Sequence, residues 1–231
     1  MQNKITILTF DLDWCEDKVF NYTLDKLIKY KVPATFFVTH ASKLLDKIRK
    51  YSFFELGIHP NLNKDSTHGI NYQEAIDHCL SIVPEAISFR PHGLNISSNI
   101  LIYLMNRGIK IDCSIFMPNT NDINQYYFQI NEKKILRVPF NWSDDYEFYQ
   151  KNKKYKFDDI NNYKTLIMDF HPIHVYLNSN SEHEYEKYKS KKDFSISERK
   201  GSKNMLDEVI DRYAKGDIKI MNLKDYIFQK K

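Results

Sequence analysis

The sequence predicts an α/β protein built around a parallel sheet, either open or closed into a barrel. Short apolar runs rich in β-branched and aromatic residues alternate along the chain with amphipathic stretches. This alternation is typical of repeated strand–helix units, which place parallel strands side by side. Polar residues directly after several apolar runs are a second indication, because sites in such folds lie at the carboxyl ends of the strands.

The first part of the chain shows the alternation most clearly. Residues Ile5 to Phe10 are rich in residues that favour β-strands and are followed by Asp11, which predicts a buried strand. Asp17 to Lys31 carries an apolar helical stripe that ends before Pro33. The next predicted elements are a strand from Ala34 to Val38, a helix around Leu44 to Ile48 and a strand from Phe53 to Ile58.

A polar loop from Pro60 to Asn71 precedes the later elements. Two helices are predicted, Tyr72 to Val83 with Asn71 as its N-cap, and Ser98 to Asn106 ended by Gly108. The other predicted elements are strands at Ala86 to Phe89, Ile109 to Phe116, Leu166 to Phe170 and Ile218 to Met221, two strands or a hairpin within Tyr126 to Phe140, and a helix from Ser202 to Lys215. Stretches 150–164 and 187–203 are predicted loops, and residues 1–231 are predicted to form a single domain.

The composition favours an ordinary globular protein and argues against several functional classes. Of the 231 residues, 42% are hydrophobic and 28% are charged, which is typical of globular domains. The net charge of +4 is small, and no basic stripe with stacking aromatic residues is present, so no nucleic-acid partner is expected. No apolar run approaches the roughly 20 residues of a membrane span, and no secretory pattern is present, so a cytoplasmic location is expected. The three cysteines form no CxxC pair, which argues against a zinc–thiolate site.

Four predicted strands end in side chains of catalytic or metal-binding type. In chain order these are Asp11 and Asp13, His59, Arg90 and His92, and His171 and His174. Because the carboxyl ends of parallel strands meet at one edge, these side chains are expected to converge. Carboxylates and neutral imidazoles are common metal ligands, and imidazole also serves as a general acid or base.

The acidic pair after the first strand has two interpretations. Asp11 and Asp13 are close enough to repel, so one would bind a cation while the other titrates. A helix N-cap or a solvated turn is the alternative. Arg90 follows a strand and precedes a proline, a histidine and a glycine, and it is expected to grip Asp11 with two parallel hydrogen bonds.

The histidines also leave alternatives open. His59 could share one metal ion with His68 if the loop between them folds back, and Asn63 is a weaker alternative ligand. An apolar strand that ends at His171 suits a general acid or base. His174 fits either the site or the core.

These residues lie within strings that resemble a known family. TFDLDW, ELGIHPN, THG, FRPHG and FHPIHVYLN occur in the order of the motifs of polysaccharide deacetylases with the NodB-homology domain, carbohydrate esterase family 4. The resemblance spans Thr9 to Asn178 and is closest to the WbmS-like branch, which is associated with bacterial surface-polysaccharide (O-antigen) gene clusters. It implies a distorted (β/α)7-type barrel, one divalent metal ion, expected to be Zn²⁺, and removal of an N-acetyl group from an amino sugar or sugar conjugate.

The resemblance also implies roles for individual residues. Asp11 corresponds to the catalytic base, Asp13 to a metal ligand, and His171 to the general acid. Arg90 corresponds to the arginine that orients the base.

The family's second motif has two histidines four residues apart, and this chain departs from that pattern. Asn63 stands four residues after His59. His59 remains an expected ligand, and His68 is the expected third ligand because STHG resembles the end of the usual motif. His92, Trp142 and His174 are the residues expected to contact substrate, with Trp142 shaping the acetyl pocket.

The substrate class expected from this resemblance is an amino sugar that is nucleotide-linked, lipid-linked or part of an oligosaccharide. One alternative is a metal-dependent amidase acting on a formyl-amino sugar or a non-sugar amide. Another is a non-catalytic carbohydrate-binding relative, which the missing histidine at position 63 would favour. A glycoside hydrolase could use Asp144 or Asp145 opposite Asp11, but that mechanism relies on two carboxylates, and the histidine-rich strand ends argue against it.

Overall fold

The computed structural model describes residues 5–160, 162–190 and 196–228, and its central feature is a curled sheet. Its strands are β1 (Ile5–Asp11), β2 (Ala34–Val38), β3 (Phe54–Ile58), β4 (Ser88–Phe89), β5 (Ile111–Asp112), β6 (Tyr126–Ile130), β7 (Lys133–Arg137), β8 (Trp142–Ser143), β9 (Thr165–Phe170) and β10 (Lys219–Met221). Their order is β6-β7-β5-β4-β3-β2-β1-β9-β8, and β10 pairs with the first residues of β1. The β6–β7 hairpin is antiparallel, and the other pairs among the described strands are parallel.

One bent segment closes the sheet into a barrel. Strand β7 pairs with β5 and strand β8 pairs with β9, and only residues 138–141 separate β7 from β8. Backbone hydrogen bonds from Val138 to Asp112 (2.8 Å) and from Asn141 to Ile167 (3.1 Å) continue both pairings through this linker. The predicted α/β class with a (β/α)7-type barrel is therefore confirmed: the positions around the barrel are β1, β2, β3, β4, β5, the β7–β8 segment and β9.

Helices pack on the outside of the sheet. They are α1 (Asp17–Lys29), α2 (Leu44–Ile48), α3 (Tyr72–Ile82), α4 (Ser98–Asn106), α5 (Pro172–Leu177), α6 (Glu182–Lys189), α7 (Ser202–Ala214) and α8 (Leu223–Phe228). The predicted N-cap of α3 is confirmed, since the Asn71 side chain accepts the backbone N–H of Glu74 at 2.9 Å. Gly108 follows α4 with φ of 86°, a left-handed conformation that glycine adopts readily. No helix in the described part of the chain is both long and apolar enough to cross a membrane.

Several elements were not predicted. Helix α6 lies partly in the stretch 187–203 that was predicted to be a loop, and it buries none of its side chains. Residues 191–195 of that predicted loop lie outside the described residues. Helices α5 and α8 are only six residues long, too short to display a helical period in the sequence. Strands β4 and β5 are two residues each, shorter than predicted.

Alternation along the strands separates an inner from an outer layer. Leu8 and Phe10 of β1 pack in the cluster that includes the helices, whereas Ile7 packs inside the barrel with Phe37 and Ile167. Because successive strand residues point to opposite faces, a side chain two residues further along faces the same way. The last inward positions therefore project from the carboxyl ends of the strands.

Candidate active site

The carboxyl ends of the strands surround a pocket of about 350 Å³. Its lining combines carboxylates and imidazoles with apolar and aromatic side chains. The apolar and aromatic lining residues include Pro91, Leu94, Phe116, Phe140 and Tyr146, and the titratable ones include Asp11, Asp13, His59, His92, Asp145, Asp169 and His171. The carboxyl ends of the strands thus produce a pocket of mixed polar and apolar character, a usual form of a ligand site.

A tight turn after β1 places Asp13 at the pocket. Asp13 and Trp14 have φ of 40° and 55°, which is uncommon for residues other than glycine. The backbone N–H of Leu12 donates to the Phe37 carbonyl (3.1 Å), and that of Trp14 donates to the Thr39 hydroxyl Oγ1 (3.2 Å), which holds this turn against β2 and the segment after it. Such strained conformations persist only where surrounding contacts maintain them, and they occur often at functional sites.

Asp13, His59 and His92 form a compact group of potential metal ligands. Asp13 Oδ1 lies 3.1 Å from His59 Nε2 and 3.0 Å from His92 Nδ1. Ligand atoms around a tetrahedral zinc ion lie about 3.3 Å apart when each is about 2.0 Å from the metal. The spacing in this group therefore suits a divalent ion.

The tautomer of His59 supports the same conclusion. His59 Nδ1 lies 2.8 Å from the carbonyl oxygen of Arg90, so Nδ1 carries a proton and donates it. In the neutral ring, Nε2 then presents a lone pair to the carboxylate of Asp13, and two acceptors face each other unless a proton or a cation lies between them. Metal-binding histidines typically donate their second ring N–H in this way.

The charge state of Asp13 is also set by these neighbours. Burial raises the pKa of Asp13, but hydrogen bonds and charge from His59, His92 and His171 outweigh burial and hold that pKa well below its usual value. The hydrogen bond to Asp13 raises the pKa of His92 against the effect of burial. Asp13 is therefore a carboxylate throughout the neutral range.

The structure does not bring His68 into this group. Its Nδ1 accepts the backbone N–H of Asn61 at 3.0 Å, and its ring stacks on His78 with centroids 5.0 Å apart. Burial lowers the pKa of His68 to about 4, so the ring is neutral. The loop does fold back, as a His68 ligand would require, but it uses this imidazole to hold its own backbone against α3.

His92, expected at the substrate, takes the position that was assigned to His68. The Trp14 ring contacts both histidines, with centroid distances of 5.2 Å to each. Asn63, the weaker alternative ligand, is exposed, and its backbone N–H bonds Asn61 Oδ1 at 3.1 Å. The candidate metal group therefore contains a histidine from the RPHG turn instead of one from the long loop.

Arg90 is fully buried at the base of the pocket. Its guanidinium lies 4.6 Å from the Phe37 ring centroid and 4.3 Å from that of Phe140. Burial opposes its charge, but Asp11 and Asp169 outweigh burial and raise the pKa of Arg90 above its ordinary value. The arginine is thus a permanent buried cation between two aromatic faces.

Arg90 holds Asp11 differently from the predicted pair of parallel bonds. Its Nη1 donates to Asp11 Oδ1 at 2.9 Å and to Asp169 Oδ1 at 2.5 Å. Its Nε donates to the Cys113 carbonyl at 3.1 Å. Asp11 therefore receives one hydrogen bond from the arginine, and Asp11 Oδ2 lies 3.5 Å from His59 Nε2.

Asp169 was not recognised from the sequence. It lies on β9 beside Thr9 of β1, two residues before His171. Strand alternation places it on the inward face with His171, and this was the available indication. Burial raises the pKa of Asp169 well above its usual value even though Arg90 acts to lower it.

His171 is held by a carboxylate that the sequence did not assign to it. His171 Nδ1 donates to Asp144 Oδ1 at 2.8 Å, and the His171 backbone N–H donates to Asp144 Oδ2 at 3.0 Å. Burial lowers the pKa of His171, but the charge and hydrogen bond of Asp144, with Asp145 and Asp13, raise it well above its usual value. Nε2 lies 3.5 Å from Asp13 Oδ2, so the ring presents a proton to the site.

Two expected substrate contacts lie elsewhere. Trp142 is buried outside the barrel, where its Nε1 donates to the Lys154 carbonyl at 3.1 Å and its ring packs on Phe170. Alternation points Ser143, not Trp142, into the pocket. His174 is buried behind His171, with its ring 4.8 Å from that of Phe148, and neither Trp142 nor His174 lines the pocket.

Fold and site together define a class: an α/β-barrel protein with a candidate metal site at the carboxyl ends of its strands. Within that class, the chain belongs to the WbmS-like polysaccharide deacetylase family, whose sequence profile matches residues 8–189.

The chain is also similar to several solved structures. The chain is similar to a putative polysaccharide deacetylase involved in O-antigen biosynthesis, WbmS, from Bordetella bronchiseptica, with a TM-score of 0.78, 31% identity and 91% of each chain covered. A family 4 acetyl xylan esterase from Clostridium thermocellum in complex with a cobalt ion has a TM-score of 0.53 and 17% identity, over 98% of this chain and 92% of that one. A family 4 pseudoenzyme from Bacillus anthracis has a TM-score of 0.50 and 12% identity, over 97% of this chain and 65% of that one. The last two similarities concern the fold alone, and among curated proteins none matches the chain.

Proposed function

We propose that the protein is a metal-dependent hydrolase that removes an N-acetyl group from an amino sugar or sugar conjugate during surface-polysaccharide (O-antigen) biosynthesis. The observation that carries the proposal is the placement of Asp13 Oδ1 within 3.1 Å of both His59 Nε2 and His92 Nδ1. The family assignment and the similarity to the Bordetella protein support the substrate class.

Asp13, His59 and His92 would hold the divalent ion, which we propose to be Zn²⁺. When bound, such an ion would lower the pKa of its water towards 7 and stabilise the negative charge that develops on the acyl oxygen. The buried hydrogen bond from His59 Nδ1 to the Arg90 carbonyl fixes the ring with Nε2 towards the site. The three side chains come from three strand ends, so the fold itself preorganises them.

Asp11 is the proposed general base. Arg90 bonds Oδ1 and keeps the carboxylate oriented, while Oδ2 lies on the side of His59. In this orientation Oδ2 takes the proton of the attacking water.

His171 is the proposed general acid. Amide hydrolysis needs a proton on the departing amine. The Asp144 carboxylate raises the pKa of His171, so the imidazole stays protonated at pH values above the ordinary pKa of histidine. The hydrogen bond at Nδ1 leaves Nε2 to deliver the proton to the amine nitrogen. Base and acid therefore stand at neighbouring strand ends, β1 and β9, beside one pocket.

The pocket favours a small acyl-amino sugar over a broad polymer groove. Its volume of about 350 Å³ is at the low end of the range of ligand sites. Phe116 and Phe140, stacked with centroids 4.7 Å apart, provide an apolar surface for the acetyl methyl group. The sugar carried in this pocket would be nucleotide-linked, lipid-linked or the end of an oligosaccharide.

The test measures acetate and formate release from N-acetyl and N-formyl amino sugars on these three carriers, with purified Zn²⁺-loaded protein. We expect acetate release that chelation abolishes and Zn²⁺ restores. Asp11→Asn should retain the metal and lose turnover. Formate release alone would favour the formyl-sugar alternative, and binding of sugar without release of either acid would favour a non-catalytic relative.

A further inference from the structure

Arg90 serves two carboxylates with one nitrogen. Its Nη1 donates to Asp11 Oδ1 and to Asp169 Oδ1. Its remaining hydrogen bonds are to Cys113, with Nε 3.1 Å from the carbonyl oxygen and Nη2 3.3 Å from Sγ. The guanidinium therefore has fixed partners on both sides, and Asp169 is one of them.

An arginine that meets a single carboxylate commonly forms two parallel hydrogen bonds, one to each oxygen. Here Asp169 takes one N–H of Nη1, and Cys113 takes the opposite side of the guanidinium. Asp11 is left with one bond, on Oδ1. Its second oxygen remains available beside His59.

We propose that Asp169 is a positioning residue for the base: it restricts Arg90 to one hydrogen bond on Asp11 and so keeps Asp11 Oδ2 free for the proton of the attacking water. The inference rests on the proposed function in its assignment of Asp11 as the base. The sequence predicted a contact between Arg90 and Asp11 alone, and the inference adds Asp169 as a second carboxylate partner of Arg90.

The location of Asp169 fits this role. Thr9 and Asp169 are partners in the β1–β9 register, so Asp169 stands one inward position before the level of Asp11. Its side chain is 5% exposed, and one oxygen atom each of Asp169 and Asp11 lies within 4.8 Å of a His171 nitrogen. Without Asp169, a buried N–H of Arg90 loses its acceptor. The second oxygen of Asp11, Oδ2, is then the carboxylate oxygen nearby that this N–H can use.

The experiment compares Asp169→Ala with Asp169→Asn by crystal structure and by steady-state kinetics. In the alanine variant we expect Arg90 to donate to both oxygens of Asp11, and kcat to fall at least about tenfold while KM stays within about twofold. The asparagine variant keeps a carbonyl oxygen that accepts from Nη1, so we expect the single bond to Asp11 and a kcat within about threefold of the wild type.

Glu55→Gln is the matched control for loss of a buried carboxylate. Glu55 is buried on β3 and accepts from Thr35, Ser88 and the backbone of Lys224, and it does not line the active-site pocket. We expect this control to lower Tm and to leave kcat unchanged.

Three results would overturn the inference: an alanine variant in which Arg90 keeps one bond to Asp11, an alanine variant with normal kcat, or an asparagine variant as impaired as alanine. Should the wild type release no acyl group from any substrate, the proposed function fails. The positioning claim is still decided in that case, because the geometry of Arg90 and Asp11 in the alanine structure is read without turnover.

Discussion

His92 and His68 contact the same tryptophan but differ in what their ring nitrogens bind. His92 Nδ1 reaches Asp13, whereas His68 Nδ1 is occupied by a backbone N–H. We predict that His92→Gln lowers Zn²⁺ affinity by more than the roughly 10–100-fold that loss of an outer-shell partner costs. His68→Gln should retain one bound metal ion per chain. Elemental analysis and competition titration with a chromophoric chelator measure both.

The two variants form a matched pair, since each replaces one imidazole by an amide near Trp14. Loss of the metal in His68→Gln with retention in His92→Gln would reverse the assignment in favour of the long loop. Circular dichroism of each variant checks that the comparison is between folded proteins.

Asp144 should set the upper pH limit of activity. The acid form of His171 is present below its pKa and is lost as pH rises through it, and Asp144 raises that pKa above the ordinary value. Asp144→Asn should therefore move the falling, alkaline limb of kcat/KM to lower pH. A pH profile measured with saturating metal tests this.

Asp145→Asn is the comparison for that prediction. Asp145 also raises the pKa of His171 through its charge, but its Oδ1 accepts from Ser143 and from the Tyr146 backbone instead of from the imidazole. Its replacement should shift the alkaline limb less than Asp144→Asn does. An equal or larger shift would mean that the hydrogen bond from His171 to Asp144 is not the dominant influence.

At the residue scale, the sequence predicts which residues lie at strand ends. It does not predict which partner each of their side chains binds. Asp11, Asp13, His59, Arg90 and His171 do line or underlie one pocket, because parallel strands bring their carboxyl ends together. Whether a loop histidine turns to the site or to a backbone N–H depends on local hydrogen bonding that spacing does not encode.

Among the elements, helix α3 fixes the end of the loop that contains His68. Asn71 accepts the Glu74 backbone N–H at 2.9 Å, and Glu74 Oε2 accepts the Ile70 backbone N–H at 3.1 Å. Asn71→Ala should lower the free energy of unfolding by about 1 kcal/mol. Urea denaturation with an unchanged m-value measures this loss.

The N-cap of α4 provides the internal comparison. Ser97 Oγ accepts the Ile100 backbone N–H at 3.4 Å, a longer bond without a reciprocal glutamate. Ser97→Ala should therefore cost less than Asn71→Ala. Equal losses would indicate that cap geometry does not control the stability of these two helices.

Elements with an apolar stripe were predictable, and elements without one were not. Helix α1 buries Val19, Phe20, Leu24 and Leu27 on one face, and this period is visible in the sequence. Helix α6 has no buried side chain, and its N-terminus is stabilised by a capping box between Ser181 and Glu184. Its packing relies on the half-buried rings of Tyr185 and Tyr188, which are too few to form a recognisable apolar stripe in the sequence.

For the whole molecule, barrel closure is what turns separate motifs into one site. The β7–β8 segment pairs with β5 on one side and with β9 on the other. This pairing places Asp144, which follows β8, beside His171, which follows β9. The sequence predicted strands at 126–140 but could not show that their continuation pairs across the barrel, since that register is set by long-range contacts. The contact between Asp144 and His171, the proposed general acid, therefore depends on how the barrel closes.

A metal ion held by Asp13, His59 and His92 would also link the ends of β1, β3 and β4, so its removal should be visible in global stability. An ion that binds only the folded state stabilises it by about 4 kcal/mol at a free concentration about 1,000 times Kd. For a chain of 231 residues, each kcal/mol changes Tm by about 2–4 °C, so EDTA should lower Tm on the order of 10 °C, and added Zn²⁺ should restore it. Scanning calorimetry of metal-loaded protein measures this fall, which should persist in His68→Gln and vanish in Asp13→Asn. A Tm that EDTA leaves unchanged in the wild type would show that no metal ion joins these strand ends.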